Sequence, residues 1–218
     1  MPSIKKALKK PFEDLGKLSI GSVLMMVPIV NFIAYGYALL YANSVMRGKD
    51  RLPEWKDWGK LFSYGLKMVV ASLIYSLPLI LVIILFFMSV GMSLDPQGVQ
   101  FAAPLGVIYA LFGLMVFLAV LTFYTTPVLH LALARDFDVK KALNVRGIFL
   151  VAFRWNYFKT FIKAMIAIIV LSFAVGIVAG LTEFTIVLPL VLNAYLTMAC
   201  QIVYFHMFSN LAVESKKR

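Results

Sequence analysis

Five stretches of this chain carry no charged side chain for 18 or more residues: Leu18–Met46, Met68–Leu94, Val99–Ala134, Ala164–Thr182 and Phe184–Val213. An α-helix rises 1.5 Å per residue, so about 20 residues cross a hydrocarbon core about 30 Å thick. Each stretch is therefore long enough to span a bilayer once. Lipid cannot satisfy a free peptide N–H or C=O, so only helices or closed barrels cross it, and no strand pattern of about ten alternating residues recurs here. The reading is an all-α polytopic membrane protein. Composition agrees: 62% of the 218 residues are apolar and 14% are charged, against about 45–50% and about 25% in soluble domains. An ordinary soluble enzyme, a disordered chain and a nucleic-acid-binding domain are excluded, the last despite a net charge of +11.

The positive charge falls between the apolar stretches. Residues 1–17 hold five Lys, residues 47–67 hold six Lys/Arg, residues 135–163 hold seven and the tail holds three, which accounts for all 21. The connections around Asp95 and Glu183 hold none. Basic loops stay cytoplasmic, so these two connections are expected outside and both termini inside, in the cell membrane. The expected spans are 68–92, 104–133, 164–181 and 185–212. Pro78, Pro127 and Pro189 fall within three of them and predict kinks. No cleavable signal peptide is expected, because Pro11, Glu13, Asp14 and Lys17 separate the basic start from an apolar run too long for an h-region.

Residues 18–46 need a different path, because both of their flanks are basic. Their middle holds Pro28, Asn31 and Gly36, residues that break or loosen a helix. Two short helices, about 18–28 and 32–46, would then form a re-entrant or interfacial hairpin. The alternative is one Pro-kinked span with an outside N-terminus.

Two further segments are amphipathic: residues 1–17 and the interfacial segment 136–163. In the second, Asp138 suits an N-cap, Val139, Ala142, Leu143, Phe149 and Phe153 can share a face, and Gly147 is expected to bend the chain. Basic amphipathic helices lie in the headgroup plane, so the partners expected are the bilayer and anionic lipid at the cytoplasmic face. The sharper alternative for the second segment is a docking site for a protein partner or a specific lipid. For the chain as a whole, a membrane protein partner or a second copy is the further partner considered. Trp55, Trp58 and Trp155 all lie in the basic segments near apolar boundaries, where amphipathic rings anchor.

The runs PFEDLGK (11–17), PIVNFIAYGY (28–37), MRGKDRLPEW (46–55) and LPEWKDWGKLFSYGLK (52–67) carry a resemblance. Together they resemble an uncharacterised prokaryotic membrane family, domain of unknown function 4013, over nearly the whole chain. FDVKKALNVRGIFLVAFRWNYF is more loosely similar to the cytoplasmic helix of other multi-span families. The resemblance implies an integral membrane protein. It brings no reaction, substrate or catalytic residue.

Chemistry-bearing residues are few. His130 and His206 fall in the cytoplasmic halves of two spans, and one His from each of two helices can ligate haem or a metal. Against this, no acidic residue lies near either one, and no HxxxH or ExxH spacing occurs. No cofactor is expected. No GxSxG, HExxH or phosphate-cradling loop occurs either, so no catalytic residue is assigned. Asn31, Asn193 and Gln201 are the polar groups a transport path would use. Ser172, Gly176 and Gly180 form a small-residue ridge that permits close helix approach, within the chain or between copies. The expected function is a non-enzymatic scaffold or accessory subunit. The alternatives are a small transporter or channel for a neutral solute or lipid and, more weakly, a haem- or metal-binding membrane protein.

Overall fold

The computed structural model describes residues 3–93, 104–180 and 187–216, which are helices and connecting turns with no strand among them. Asp95 and Glu183, expected in the outer connections, lie outside the described residues.

α1 (Ile4–Lys9) runs through one 3-10 turn (Lys10–Glu13) into α2 (Leu15–Met26). Asp14 caps α2 by accepting from the Lys17 N–H, and that bond holds its carboxyl below the ordinary value. Residues 27–30 then break the helix, with Pro28 in the break and Ile29 in the left-handed region at φ 71°. α3 (Asn31–Met46) follows. The stretch 18–46 is thus two helices, the first starting at Leu15 rather than near residue 18 and ending two residues earlier than expected.

Among the described residues, α4 (Trp58–Ser93), α5 (Leu105–Asp136), α8 (Trp155–Gly180) and α9 (Val187–Lys216) are the four helices long and apolar enough to cross a membrane. Two start earlier than the charge-free stretches do, α4 at Trp58 rather than Met68 and α8 at Trp155 rather than Ala164. The reason is that charge marks the edge of lipid, whereas a helix can continue into the headgroup layer. At 36 residues, α4 is about 54 Å long, well beyond the hydrocarbon core. Pro78 and Pro127 sit inside continuous helices. Pro189 lies near the start of the described part of α9.

The interfacial segment departs further from expectation. It is split into α6 (Val139–Ala142) and α7 (Val145–Ala152), with breaks at Leu143–Asn144 and Phe153–Arg154. Asp138 does cap α6, accepting from Lys140 and Lys141. Gly147 does not bend the chain: it lies in the first turn of α7, and its N–H goes to the Asn144 side chain. The buried face is Ala142, Ile148 and Ala152, while Val145, Leu150 and Phe153 point outward, because the breaks reset the helical phase assumed for one continuous helix.

α4 and α5 pair antiparallel, joined by Tyr75–Thr125, Ser72–His130 and Lys67 to the Phe137 carbonyl. Phe137 is a non-glycine residue at φ 53° closing α5, and its ring stacks on Tyr64 at 3.9 Å, which offsets the strain. α8 and α9 pair antiparallel through Tyr157 and Phe208. α9 packs against α2, α3, α5 and α8. It is also the least apolar of the four, with a mean hydropathy of 1.6 against 2.5 to 2.8. A helix enclosed by others meets less lipid and tolerates more polar side chains.

α3 and α4 cross more closely than side chains would allow. A Cβ on Gly36 would lie 1.8 Å from the Leu61 carbonyl oxygen, and one on Gly65 would lie 1.8 Å from that of Phe32. The two glycines face each other, and each backbone fills the space the other leaves.

Candidate functional site at the basic end of the bundle

Hydrogen bonds and ion pairs gather three basic segments at one end. Lys10, whose side chain is 3% exposed, donates to the Asp50 carbonyl at 2.7 Å. It also pairs with Asp50 Oδ1 at 3.1 Å and Glu13 Oε2 at 2.8 Å. The main-chain carbonyl takes a hydrogen bond and the two carboxylates hold the ammonium by charge, the pairing that a buried ammonium needs. Lys6 reaches Asp50 Oδ2 at 2.7 Å. Burial pushes the Asp50 carboxyl up, but hydrogen bonds from Lys6 and Lys10 outweigh it and leave the pKa below its ordinary value.

His206 of α9 joins the same centre. Its Nδ1 lies 2.8 Å from Tyr41 Oη and 3.5 Å from Asp50 Oδ1. Asn210 donates to the His206 carbonyl at 2.8 Å and lies 3.3 Å from Nε2. With Asn210 donating to Nε2, the ring proton sits on Nδ1 and faces Tyr41 and Asp50. The expectation that no acid lies near either histidine therefore fails for His206. Asp50 is distant in sequence, and no local spacing reveals the pair. One signal was present: Asp50 is the lone acid in a run with Arg47, Lys49 and Arg51.

Beside this centre, Trp55 closes the hairpin. Its ring stacks on Tyr37 at 3.8 Å and its indole N–H donates to the Lys17 carbonyl at 3.1 Å. Tyr37 in turn donates to the Pro53 carbonyl, and Trp58 stacks on Trp55 at 5.8 Å. Lys17 donates to the Leu52 carbonyl and to Glu54 Oε1 at 2.8 Å, and the Glu54 bond raises the Lys17 pKa. The start of α2 and the segment after α3 are thus bound to each other, the geometry a hairpin entering and leaving at one end requires. Trp55 is a packing element, half-buried rather than a surface anchor. Trp155 is 65% exposed, with Lys159 5.2 Å over its ring, as an interfacial tryptophan would be.

His130 lies apart, with Ser72 Oγ 3.0 Å from Nε2 and Tyr204 Oη 3.1 Å from Nδ1. Each histidine has both ring nitrogens engaged by its own neighbours. Among the described residues no group of three or more His, Cys, Asp or Glu could hold a metal. Asn31 opens α3, and its side-chain oxygen is buried with no hydrogen-bond partner among the described residues, as is that of Gln201. Asn193 is exposed and donates to the Pro189 carbonyl. Ser172 meets Cys200 of α9, whereas Gly176 and Gly180 have open space where a Cβ would point, with no described residue packed there. The close approach occurs at Gly36 and Gly65 instead.

Sequence reasoning also missed Asn43, which is buried in α3. Its Nδ2 donates to the carbonyls of Ala134 at 2.6 Å and Arg135 at 3.2 Å, satisfying the C-terminal end of α5 from another helix.

Four long apolar helices, with connectors tied together at one end, define a polytopic α-helical membrane protein. The four runs that carried the resemblance meet in space, since Lys17, Tyr37, Asp50 and Trp55 all belong to this end. The chain belongs to the family described as Protein of unknown function (DUF4013), whose model matches residues 20–184. No curated protein and no solved structure matches the chain.

Proposed function

We propose that the chain is a non-enzymatic scaffold or accessory subunit of the cell membrane, with both termini cytoplasmic and the α2–α3 hairpin re-entering from that side. One observation carries the reading. Lys10, Lys17, Tyr41, Asn43 and His206 use their polar groups to join elements distant in sequence. Cross-linking of this kind makes a rigid platform, which is what an assembly partner needs. Exposed Leu150, Phe153 and Trp155 beside Arg146 and Arg154 supply an apolar, basic surface next to it, suited to a headgroup layer or a partner.

The topology has a direct test. With Cys200 replaced, single cysteines at Lys6 and Asp95 are exposed in turn to an impermeant thiol reagent on intact cells. Labelling is expected at 95 and not at 6. The reverse pattern would place the basic end outside. The role has a separate test. A photo-crosslinking residue at Arg146 is expected to trap one membrane protein at about equal stoichiometry in living cells. Purified chain in liposomes is expected to leave neutral-solute flux and lipid flip-flop at protein-free levels. Flux above that level would replace the scaffold with a transporter.

A further inference from the structure

A cavity of about 580 Å³ opens at the basic end, between α5, the α6–α7 segment and the adjoining ends of α3, α8 and α9. Its size falls within the range of small-molecule sites, about 300–1,000 Å³. Two kinds of surface line it. Val128, Leu131 and Ile148 make an apolar floor, buried or nearly so. Arg135, Lys141 and Arg154 line it too, with exposed side chains. Val128 and Arg135 bracket two turns of α5, so the cavity runs about 10 Å along that helix, from charged to apolar.

The three cations come from three different segments. Among the described residues, no carboxylate stands within 4.0 Å of any of their charged groups. Lys6, Lys10 and Lys17, by contrast, have acids on them. What sets Arg135, Lys141 and Arg154 apart from other acid-free bases of this end, such as Lys49 and Arg51, is that all three line one cavity. Unopposed cations converging on an apolar hollow leave a site whose charge is completed from outside. Basic pockets between membrane helices of this composition suit anionic lipid head groups.

We propose that the cavity binds one anionic phospholipid, its phosphate among Arg135, Lys141 and Arg154 and the first part of an acyl chain over Val128, Leu131 and Ile148, with the remainder in the bilayer. This goes beyond the scaffold reading and does not depend on it. A diffuse basic surface would attract many lipids weakly. The cavity selects a single one by charge and shape together.

The test uses the full chain in detergent, with lipid retention read by native mass spectrometry. Phosphatidylglycerol, phosphatidylcholine and inorganic phosphate are the probes. One phosphatidylglycerol per chain is expected, retained well above phosphatidylcholine. The triple variant Arg135→Gln, Lys141→Gln, Arg154→Gln is expected to lose about a hundredfold in affinity, at about 1 kcal/mol per basic residue. Val151→Trp, which fills the cavity and keeps every charge, is expected to abolish retention as well. An unchanged melting temperature certifies that each variant is folded, and a variant that melts early is replaced by Ala132→Phe at the same cavity. Equal retention of both lipids, or retention unchanged in the triple variant, would overturn the site. Full displacement by millimolar inorganic phosphate would overturn the lipid and leave a free-anion site.

Discussion

Gly36→Ala and Gly65→Ala each destabilise the detergent-purified chain by about 3 kcal/mol or more, whereas Gly176→Ala and Gly180→Ala stay within about 0.5 kcal/mol of the parent. The contrast follows from what each added methyl group meets. At Gly36 it meets the Leu61 carbonyl oxygen at 1.8 Å and the Gly65 nitrogen at 3.0 Å. At Gly65 it meets the Phe32 carbonyl oxygen and the Gly36 nitrogen at the same distances. These are backbone atoms inside helices, so no rotamer change relieves the clash, and the helices must separate. Separation also parts the Phe32 and Phe62 rings and opens the hairpin's contact with α4. At Gly176 and Gly180 the same methyl group meets nothing within 4 Å. All four are glycine-to-alanine changes within helices, so propensity favours every variant slightly and cannot produce the split. Unfolding midpoints from a denaturing-detergent titration measure it. Equal effects at all four positions would show that the α3–α4 crossing is not the tight contact. A large loss at Gly176 alone would place a second copy or another protein on that ridge.

The sequence made the spans legible because lipid imposes a rule that composition obeys directly: a charge-free run of sufficient length must be helix. The break at Pro28–Asn31 was legible for the same reason, since proline and asparagine act locally. Helix starts were not. Trp58 and Trp155 begin α4 and α8 among charged residues, where the membrane rule no longer applies and only capping chemistry speaks. Gly36 was read as a source of flexibility, and its role is close approach. Nothing marks Gly65 as its counterpart, because the pairing exists only once α3 and α4 cross. The centre at Asp50 failed for a related reason. Lys10, Tyr41, Asp50 and His206 come from four separate segments. Periodicity reports which residues share a face of one element, and it is silent on which elements meet. Trp55 stands in a basic segment of the sequence, but its stacking on Tyr37 depends on the hairpin folding back.

Asp50→Asn is expected to cost about 2–3 kcal/mol, below the 3–5 kcal/mol of a fully buried pair, because the Asp50 side chain remains 33% exposed. Removing its charge leaves the nearly buried Lys10 ammonium with only the half-exposed Glu13 carboxylate and a main-chain carbonyl. Lys10→Met removes the other partner while keeping a similar stem. The double variant is then expected to cost clearly less than the two singles added, with a coupling of about 1–2 kcal/mol, because no charge is stranded in it. The pH dependence has a definite sign. The folded Asp50 pKa lies below its ordinary 3.8, so the folded state binds the proton less readily than the unfolded chain. Its stabilisation is fully present above the ordinary value and is lost as pH falls through the folded pKa. Stability measured downward from about pH 5 should therefore decline in the parent, and Asp50→Asn should flatten that decline, since asparagine has no proton to bind. Additive single effects would show that Lys10 and Asp50 do not act as a pair. An acid limb in Asp50→Asn as steep as in the parent would assign the titration to another carboxylate.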